Sequence, residues 1–465
     1  MKAPLFSVVA VELFERDVRL RMPFRFGVVT LTEAPQVFAR ARVRLADGTE
    51  AEGVAAELLA PKWFDKNPAL STEDNFDQLR AALCIARGLY LAGGATTAFG
   101  HFAQHHHAQA ERGAARGLEP LVAHYGPALL DRALLDALCR ALGLPFHEVV
   151  RGNGIGLTAN ELVPDLVGFD IETFLASLSP ASTIAARHTV GLVDPIVAAD
   201  LSTRVGDGLP ETLEEVVAGY GQRWFKLKVA GDIEADVARL VRIAAVLDRI
   251  PGGYQATLDG NEQYDDVTSV IALWQRMLAT PDLARLCDSV VFIEQPIKRK
   301  AALASDVTEL ARSRPVIIDE SDDALDAYPR ARALGYGGVS SKTCKGLYKS
   351  IINAARCRRW GGVISGEDLT IQAGVALQQD LALVALLGIT HVERNGHHYV
   401  NGMAGLPPAE QQAFLGAHPD LYEERLGAVR LRITGGQLAI GSLAGTGYAR
   451  GATPDWGAMR TMPER

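Results

Sequence analysis

None of the cysteines in this chain forms a CxxC pair. The five, Cys84, Cys139, Cys287, Cys344 and Cys357, are scattered and odd in number. That excludes a disulfide framework and fits reduced thiols, so a cytoplasmic location is expected. Long hydrophobic runs are missing as well, so no membrane span is expected. The opening text, MKAPLFSVVAVELFERD, lacks the apolar core and cleavage site of a signal peptide and reads as a strand. Positive charge is in short supply: 47 Lys and Arg stand against 55 Asp and Glu, a net charge of −8. A nucleic-acid partner is therefore not expected. There is no low-complexity tract. What remains is an ordinary globular balance, 48% hydrophobic and 22% charged, over 465 residues. That length can bury a large core and suits a barrel with a second domain.

The pattern of residues changes along the chain. Strands are predicted at 8–18 and 36–45, the second closed by the turn Ala46-Asp47-Gly48. Ala- and Leu-rich text then predicts helices at 74–91, 99–112 and 127–142. Residues 1–155 read as an α+β capping domain, with a glycine hinge at Gly152, Gly154 and Gly156. From 156 to 425, short β-branched runs alternate with helical stretches. Strands are predicted at 188–193, 224–229, 254–258, 289–293, 315–318, 338–341, 362–365 and 389–392. Helices are predicted at 211–220, 233–250, 267–278, 301–313, 324–334, 347–360 and 371–387. This alternation predicts an α/β fold, a (β/α)8-type barrel. Periodicity alone would also suit a doubly wound sheet. Residues 426–465 return to strand-like text and are expected to run back to the cap.

Charged residues stand at the C-terminal ends of five successive predicted strands. They are Lys226-Leu227-Lys228, Asp259-Gly260-Asn261, Glu294-Gln295-Pro296, Asp319-Glu320-Ser321 and Lys342-Thr343-Cys344-Lys345. Barrel active sites gather at that end. Asp259, Glu294 and Asp319 should converge there, and three bare carboxylates repel one another, so a cation is implied. An all-oxygen set points to Mg2+, with Mn2+ as a substitute. Lysines from strands two and six would flank it. Such lysines, beside a metal and each other, are expected to have lowered pKa values and to serve as bases. Removing a proton next to a carboxylate requires stabilising an enediolate, which a divalent ion can do. A buried ion network in a barrel with another purpose is the competing reading.

These motifs, KLK, DGN, EQP, DES and the strand-six lysine, resemble the enolase superfamily, within it the mandelate racemase/muconate-lactonising-enzyme group. The resemblance extends to PFRFG and LADGTEAEG near the start, LLDRALLDALCRALGLP, and GQLAIGSLAGTGY near the end. It implies Asp259, Glu294 and Asp319 as Mg2+ ligands and Lys228 and Lys342 as acid/base residues. Lys226 would face the substrate carboxylate. The implied activity is that of an isomerase (racemase, epimerase or cycloisomerase) or a dehydrating lyase on a small carboxylate, in a homo-oligomer. Lys345 competes with Lys342 as second base. Strand eight reads THVERNGHH, without the Asp-x-Asp expected of a dipeptide epimerase.

Substrate-binding or supporting roles fall to Asn261, Glu320, Glu367, Asp368, Glu393 and Arg394. For Glu367 the alternative is a structural ion pair, and for Arg394 a surface salt bridge. The resemblance implies that two cap loops close the mouth, here 24–28 with Phe24 and 61–66 with Trp63 and Phe64. Both aromatics could form a lid, or one could be exposed while the other packs on the cap. His101, His105, His106 and His107 read as a solvated helix face rather than a metal site. His188 is expected in core packing, and Lys298, Arg299 and Lys300 in solvent. A catalytically silent homologue that binds a carboxylate, and a metal-dependent aldolase, are the rival functions.

Overall fold

A computed structural model describes residues 2–26, 29–369 and 371–464. Strands β1 (Phe6–Phe26), β2 (Val29–Leu45) and β3 (Glu50–Leu58) form an antiparallel meander. Helices α1 (Thr72–Ala92), α2 (Ala98–Ala115) and α3 (Pro120–Leu142) follow. A capping box starts α1: the Ser71 side chain accepts from the Asp74 amide, and the Asp74 side chain accepts from the Ser71 amide. Helix α3 lies directly on β3 because Gly53 has no side chain; a Cβ there would stand 2.0 Å from the Ala133 carbonyl oxygen.

Eight parallel strands follow. They are β4 (Thr183–Val190), β5 (Trp224–Lys228), β6 (Gln255–Asp259), β7 (Val290–Glu294), β8 (Val316–Ile318), β9 (Gly338–Ser341), β10 (Val363–Gly366) and β11 (His391–Arg394). β11 pairs with β4, so the sheet closes into a barrel and the doubly wound alternative falls. Strand β4 lies earlier than the predicted 188–193. It stops at Val190 because the chain turns at Gly191, whose amide donates to Asp194 Oδ2 at 2.7 Å. The single helix predicted at 301–313 is two short ones, Arg299–Ala302 and Thr308–Ala311. Asp306 interrupts it, its Oδ1 accepting the Thr308 amide at 2.8 Å in an Asx turn.

The tail forms a hairpin, β12 (Tyr422–Arg425) with β13 (Ala428–Leu431). Then β14 (Gln437–Ala439) pairs antiparallel with β4, and β15 (Arg460–Thr461) pairs antiparallel with β1. One apolar core runs from the cap sheet and helices into helices Leu347–Trp360 and Val375–Leu386. A second fills the space between β5–β9 and their helices. Cap and barrel thus share a core, which fixes the cap loops over the strand ends. No described helix is long and apolar enough to cross a membrane. All five cysteines are free.

Candidate active site

Strand alternation sends Lys226 and Lys228 to one face, into the barrel. Both are buried, and buried ammonium groups need partners. Lys226 Nζ lies 2.9 Å from Asp259, 2.8 Å from Glu294, 2.7 Å from Glu367 and 2.9 Å from Glu393. Lys228 Nζ is 2.5 Å from Asp259 and donates to Asn261 Oδ1 at 2.5 Å. Four strands along, Lys342 Nζ is 2.5 Å from Asp319 and stands 4.3 Å from the Trp63 ring centroid.

The DGN, EQP and DES motifs hold one another. Gly260 lies on Pro296, where a Cβ would come within 2.5 Å of the proline Cα. The backbone is left-handed at Asn261, Glu262 and Gln295, where β6 and β7 leave the barrel. For side-chain-bearing residues that costs about 1–3 kcal/mol each, so the surroundings must enforce it. The Gln295 side chain is part of that enforcement. Its Oε1 accepts the amides of Asp319 at 2.8 Å and Ser321 at 3.0 Å, and its Nε2 donates to Ser321 Oγ at 2.8 Å. The end of β7 therefore positions the carboxylate at the end of β8.

A cavity opens above these residues. Lys226, Lys228, Asn261 and Lys342 form its floor and sides, and Asp368, Glu393 and Asn395 its strand-seven and strand-eight side. Phe24, Ala60 and Trp63 cover it from the cap. Of the loop at 24–28, Gly27 and Val28 lie outside the described residues. Trp63 and Phe64 are both buried, so neither is the exposed member of a pair. Trp63 faces the cavity, while Phe64 turns edge-on to Tyr125 in the cap, 5.2 Å between centroids. Asn395 and Leu369 were not anticipated as lining residues, although Asn395 shares a face with Glu393 by alternation.

Other expected residues lie elsewhere. Arg394 neither reaches the mouth nor the surface. Alternation turns it outward, and it pairs with Asp380, with Asp368 at 3.8 Å. Glu367 is bound by Arg187 and Lys226 and does not line the cavity. Glu320 is buried behind it, accepting from Asn261 Nδ2 at 3.2 Å. Lys345 lies 3.0 Å from Asp322 and 3.4 Å from Asp319, below the cavity wall. Arg299 is not solvated. It donates to the carbonyls of Trp63 and Phe64 and pairs with Glu262 at 2.8 Å. The histidine run is not a solvated face either. His101 and His105 are buried against Tyr90, and His106 stacks on His124, because the polar side of α2 packs inside the cap; only His107 is exposed. His188 faces outward from β4 onto His397.

Electrostatics at the lysines are set by the carboxylates around them. Burial alone would lower Lys342, but the Asp319 carboxylate raises it, so it is held protonated. Burial is likewise outweighed at Lys226 by Asp259, Glu294, Glu367 and Glu393. At Asp319 burial is overcome by Lys342, Lys345 and Lys226, which hold it well below the usual range. Glu294 goes the other way: burial, then the charges of Asp259 and Glu367, push it well up despite Lys226. As they stand, no three acidic, histidine or cysteine residues among the described ones enclose an ion; lysine ammonium groups lie between the carboxylates. The donor set nevertheless fits Mg2+ in kind. It is all oxygen, comes from three neighbouring strand ends, and is crowded enough at Glu294 to call for more positive charge.

No family model and no curated protein matches this chain. Solved structures do. A muconate lactonizing enzyme from Pseudomonas fluorescens, complexed with muconolactone, is 17% identical over 97% of this chain and 98% of its own, with a TM-score of 0.62. A mandelate racemase/muconate lactonizing protein from Herpetosiphon aurantiacus is 19% identical over 95% and 98%, TM-score 0.59. An enolase from Bradyrhizobium, complexed with magnesium and mandelic acid, is 16% identical over 98% of each, TM-score 0.59. Cap, barrel and tail together therefore have the fold of these muconate-lactonising and mandelate-racemase structures.

Proposed function

We propose that this chain is an enolase-superfamily enzyme that removes a proton from the carbon next to a substrate carboxylate. Lys228 and Lys342 act from opposite sides, giving racemisation or epimerisation, cycloisomerisation or syn-dehydration. One observation carries this reading: two buried lysines, from strands two and six of an eight-stranded ring, line a single cavity above Asp259, Glu294 and Asp319. Mg2+ held by those three carboxylates would supply the positive charge against which enolate charge develops. Everything else falls to the chain. Lys342 can lose its proton only when the Asp319 charge is spent elsewhere, as it is when Asp319 serves as a ligand. Trp63, packed over Lys342, keeps water from the reacting face. Lys226 gives the substrate carboxylate its counter-charge.

Proton NMR in D2O with Mg2+ tests this, using pools of N-acyl amino acids, dipeptides, hydroxy acids and lactones. Wash-out of an α-proton is expected with the native protein. It should disappear in Lys342→Ala, which should still bind Mg2+. Turnover unchanged in that variant would sink the assignment. No exchange in any pool, with Mg2+ bound, would favour a silent carboxylate-binding homologue.

A further inference from the structure

A second cavity lies on the outer side of strand eight and shares no lining residue with the first. Its walls come from the segment after β11, from the loop after β10 and from the β12–β13 hairpin. Leu377, Val400 and Leu431 make an apolar wall. Arg394, Arg425 and Arg430 supply charge, against one acid, Glu423, which leans 3.8 Å from Arg432. Three arginines around one cavity stand out in a chain of net charge −8. Arg394 and Arg430 are 1% and 7% exposed. Among the described residues, Nε and Nη1 of both guanidinium groups have no hydrogen-bond partner, nor does Nδ1 of His397, which also lines the cavity. Unmet buried donors are costly, and guanidinium donors are best met by a carboxylate or phosphate. Asp380 and Asp368 balance Arg394 from behind. Among the described residues Arg430 forms no ion pair, and burial lowers it below the ordinary arginine range, Asp207 opposing.

We propose that this cavity is a second ligand site, separate from the barrel mouth, for a small organic anion with an apolar body. The anionic group meets Arg430 and Arg394, and the body lies on Leu377, Val400 and Leu431. The site does not depend on the activity proposed above. Arg394 links it to the first cavity, because the same guanidinium borders Asp368 there.

Calorimetric titration with benzoate, and with benzamide as its uncharged counterpart, tests the site. Benzoate should bind the native protein and Lys342→Ala alike, since Lys342 belongs to the other cavity. Its Kd should rise at least about tenfold in Arg430→Met, which keeps an apolar stem and removes the donors. Exposed Arg425→Met provides a second variant should Arg430→Met fail to fold, with a smaller rise. Benzamide should bind more weakly than benzoate. Equal binding of the two, binding lost in Lys342→Ala, binding unaltered in the arginine variants, or no binding to the native protein would each overturn the proposal.

Discussion

Asp368 is the carboxyl group in the barrel-mouth cavity whose charge changes nearest neutrality. Burial raises it to about 7 from 3.8, with Arg394 pulling down and Glu393 pushing up. The folded protein thus holds this proton more tightly than the unfolded chain does. Between about pH 4 and pH 7 the unfolded chain releases a proton that the folded one keeps, so stability falls as pH rises and levels off above. The slope from one such group is at most about 1.4 kcal/mol per pH unit. Asp368→Asn cannot titrate. It also gives up one of two acceptors for the Ile371 and Asn395 amides, so it should be less stable by about 1–3 kcal/mol at low pH. Urea melts at about pH 5 and about pH 7 should show a smaller fall for the variant than for the native protein; parallel falls would rule this assignment out. The residues that meet at the mouth were legible in the sequence because two simple rules place them: side chains alternate along a strand, and barrel strands follow in chain order. Lys226, Lys228, Asp259, Glu294, Asp319 and Lys342 obey both. Arg394 obeys the same alternation, which sends it outward beside inward Glu393. What no local pattern could give is the state of the lysines, since that depends on carboxylates brought in from other strands.

The segment 61–66 shows the same division among elements. A Trp-Phe pair in a loop signals a lid, but the sequence does not say what holds the lid down. The structure does so with two cations. Lys66 pairs with Glu262 and donates to the Asn261 carbonyl at 3.0 Å. Arg299 reaches back from the barrel to the carbonyls of Trp63 and Phe64 while paired with Glu262. Glu262 sits in the strained turn after DGN, so the clasp joins the cover of the cavity to its floor. Arg299 looked like a surface charge because three consecutive basic residues usually are. Its neighbour Lys298 is indeed exposed, paired with Asp265. Arg299→Ala removes several charge-assisted bonds and leaves Glu262 with Lys66 as its cation, at a cost of about 1–3 kcal/mol. The loop should then open far more often than the rest of the molecule. Trypsin cleavage at Lys62 or Lys66 under native conditions should speed up at least about tenfold over the native protein. Unchanged cleavage would mean that apolar contacts of Trp63 and Phe64 alone seat the loop.

Over the whole molecule the chain is stitched at both ends. β14 completes the edge of β4 beside the closing seam of the barrel, and β15 extends the cap sheet at β1. Between them Tyr448 stacks on Phe146 at 4.0 Å, its amide donating to Asp136 Oδ1 at 2.8 Å, and Arg450 Nε donates to Asp136 Oδ2 at 3.1 Å. Asp136 belongs to α3 and also accepts the Val54 amide of β3 at 2.9 Å, so one buried carboxylate binds tail, cap helix and cap sheet. Barrel alternation announces the eight strands, but nothing in the residues of β14 distinguishes an extra barrel strand from a cap strand; only the partner decides. The energetics separate the two stitches. Deleting residues 456–465 removes β15, half-exposed ion pairs of Arg460 worth about 1 kcal/mol or less, the buried Met462 and the part-buried Trp456 that packs on Phe14 and Phe38. A loss of a few degrees in Tm is expected, with the fold intact. Deleting 435–465 also removes Leu438, Ile440, Leu443 and Tyr448, all buried. At about 1.5–3 kcal/mol each, their burial is comparable to the whole net stability of about 5–15 kcal/mol. Asp136 would also lose Arg450 and the Tyr448 amide, keeping Arg140 and the Val54 amide. The longer deletion should therefore show no near-UV circular dichroism and elute as aggregate, while the shorter one elutes as the native protein does. A folded, cooperative 1–434 chain would mean that cap and barrel are held by their shared core alone, with the tail as an accessory.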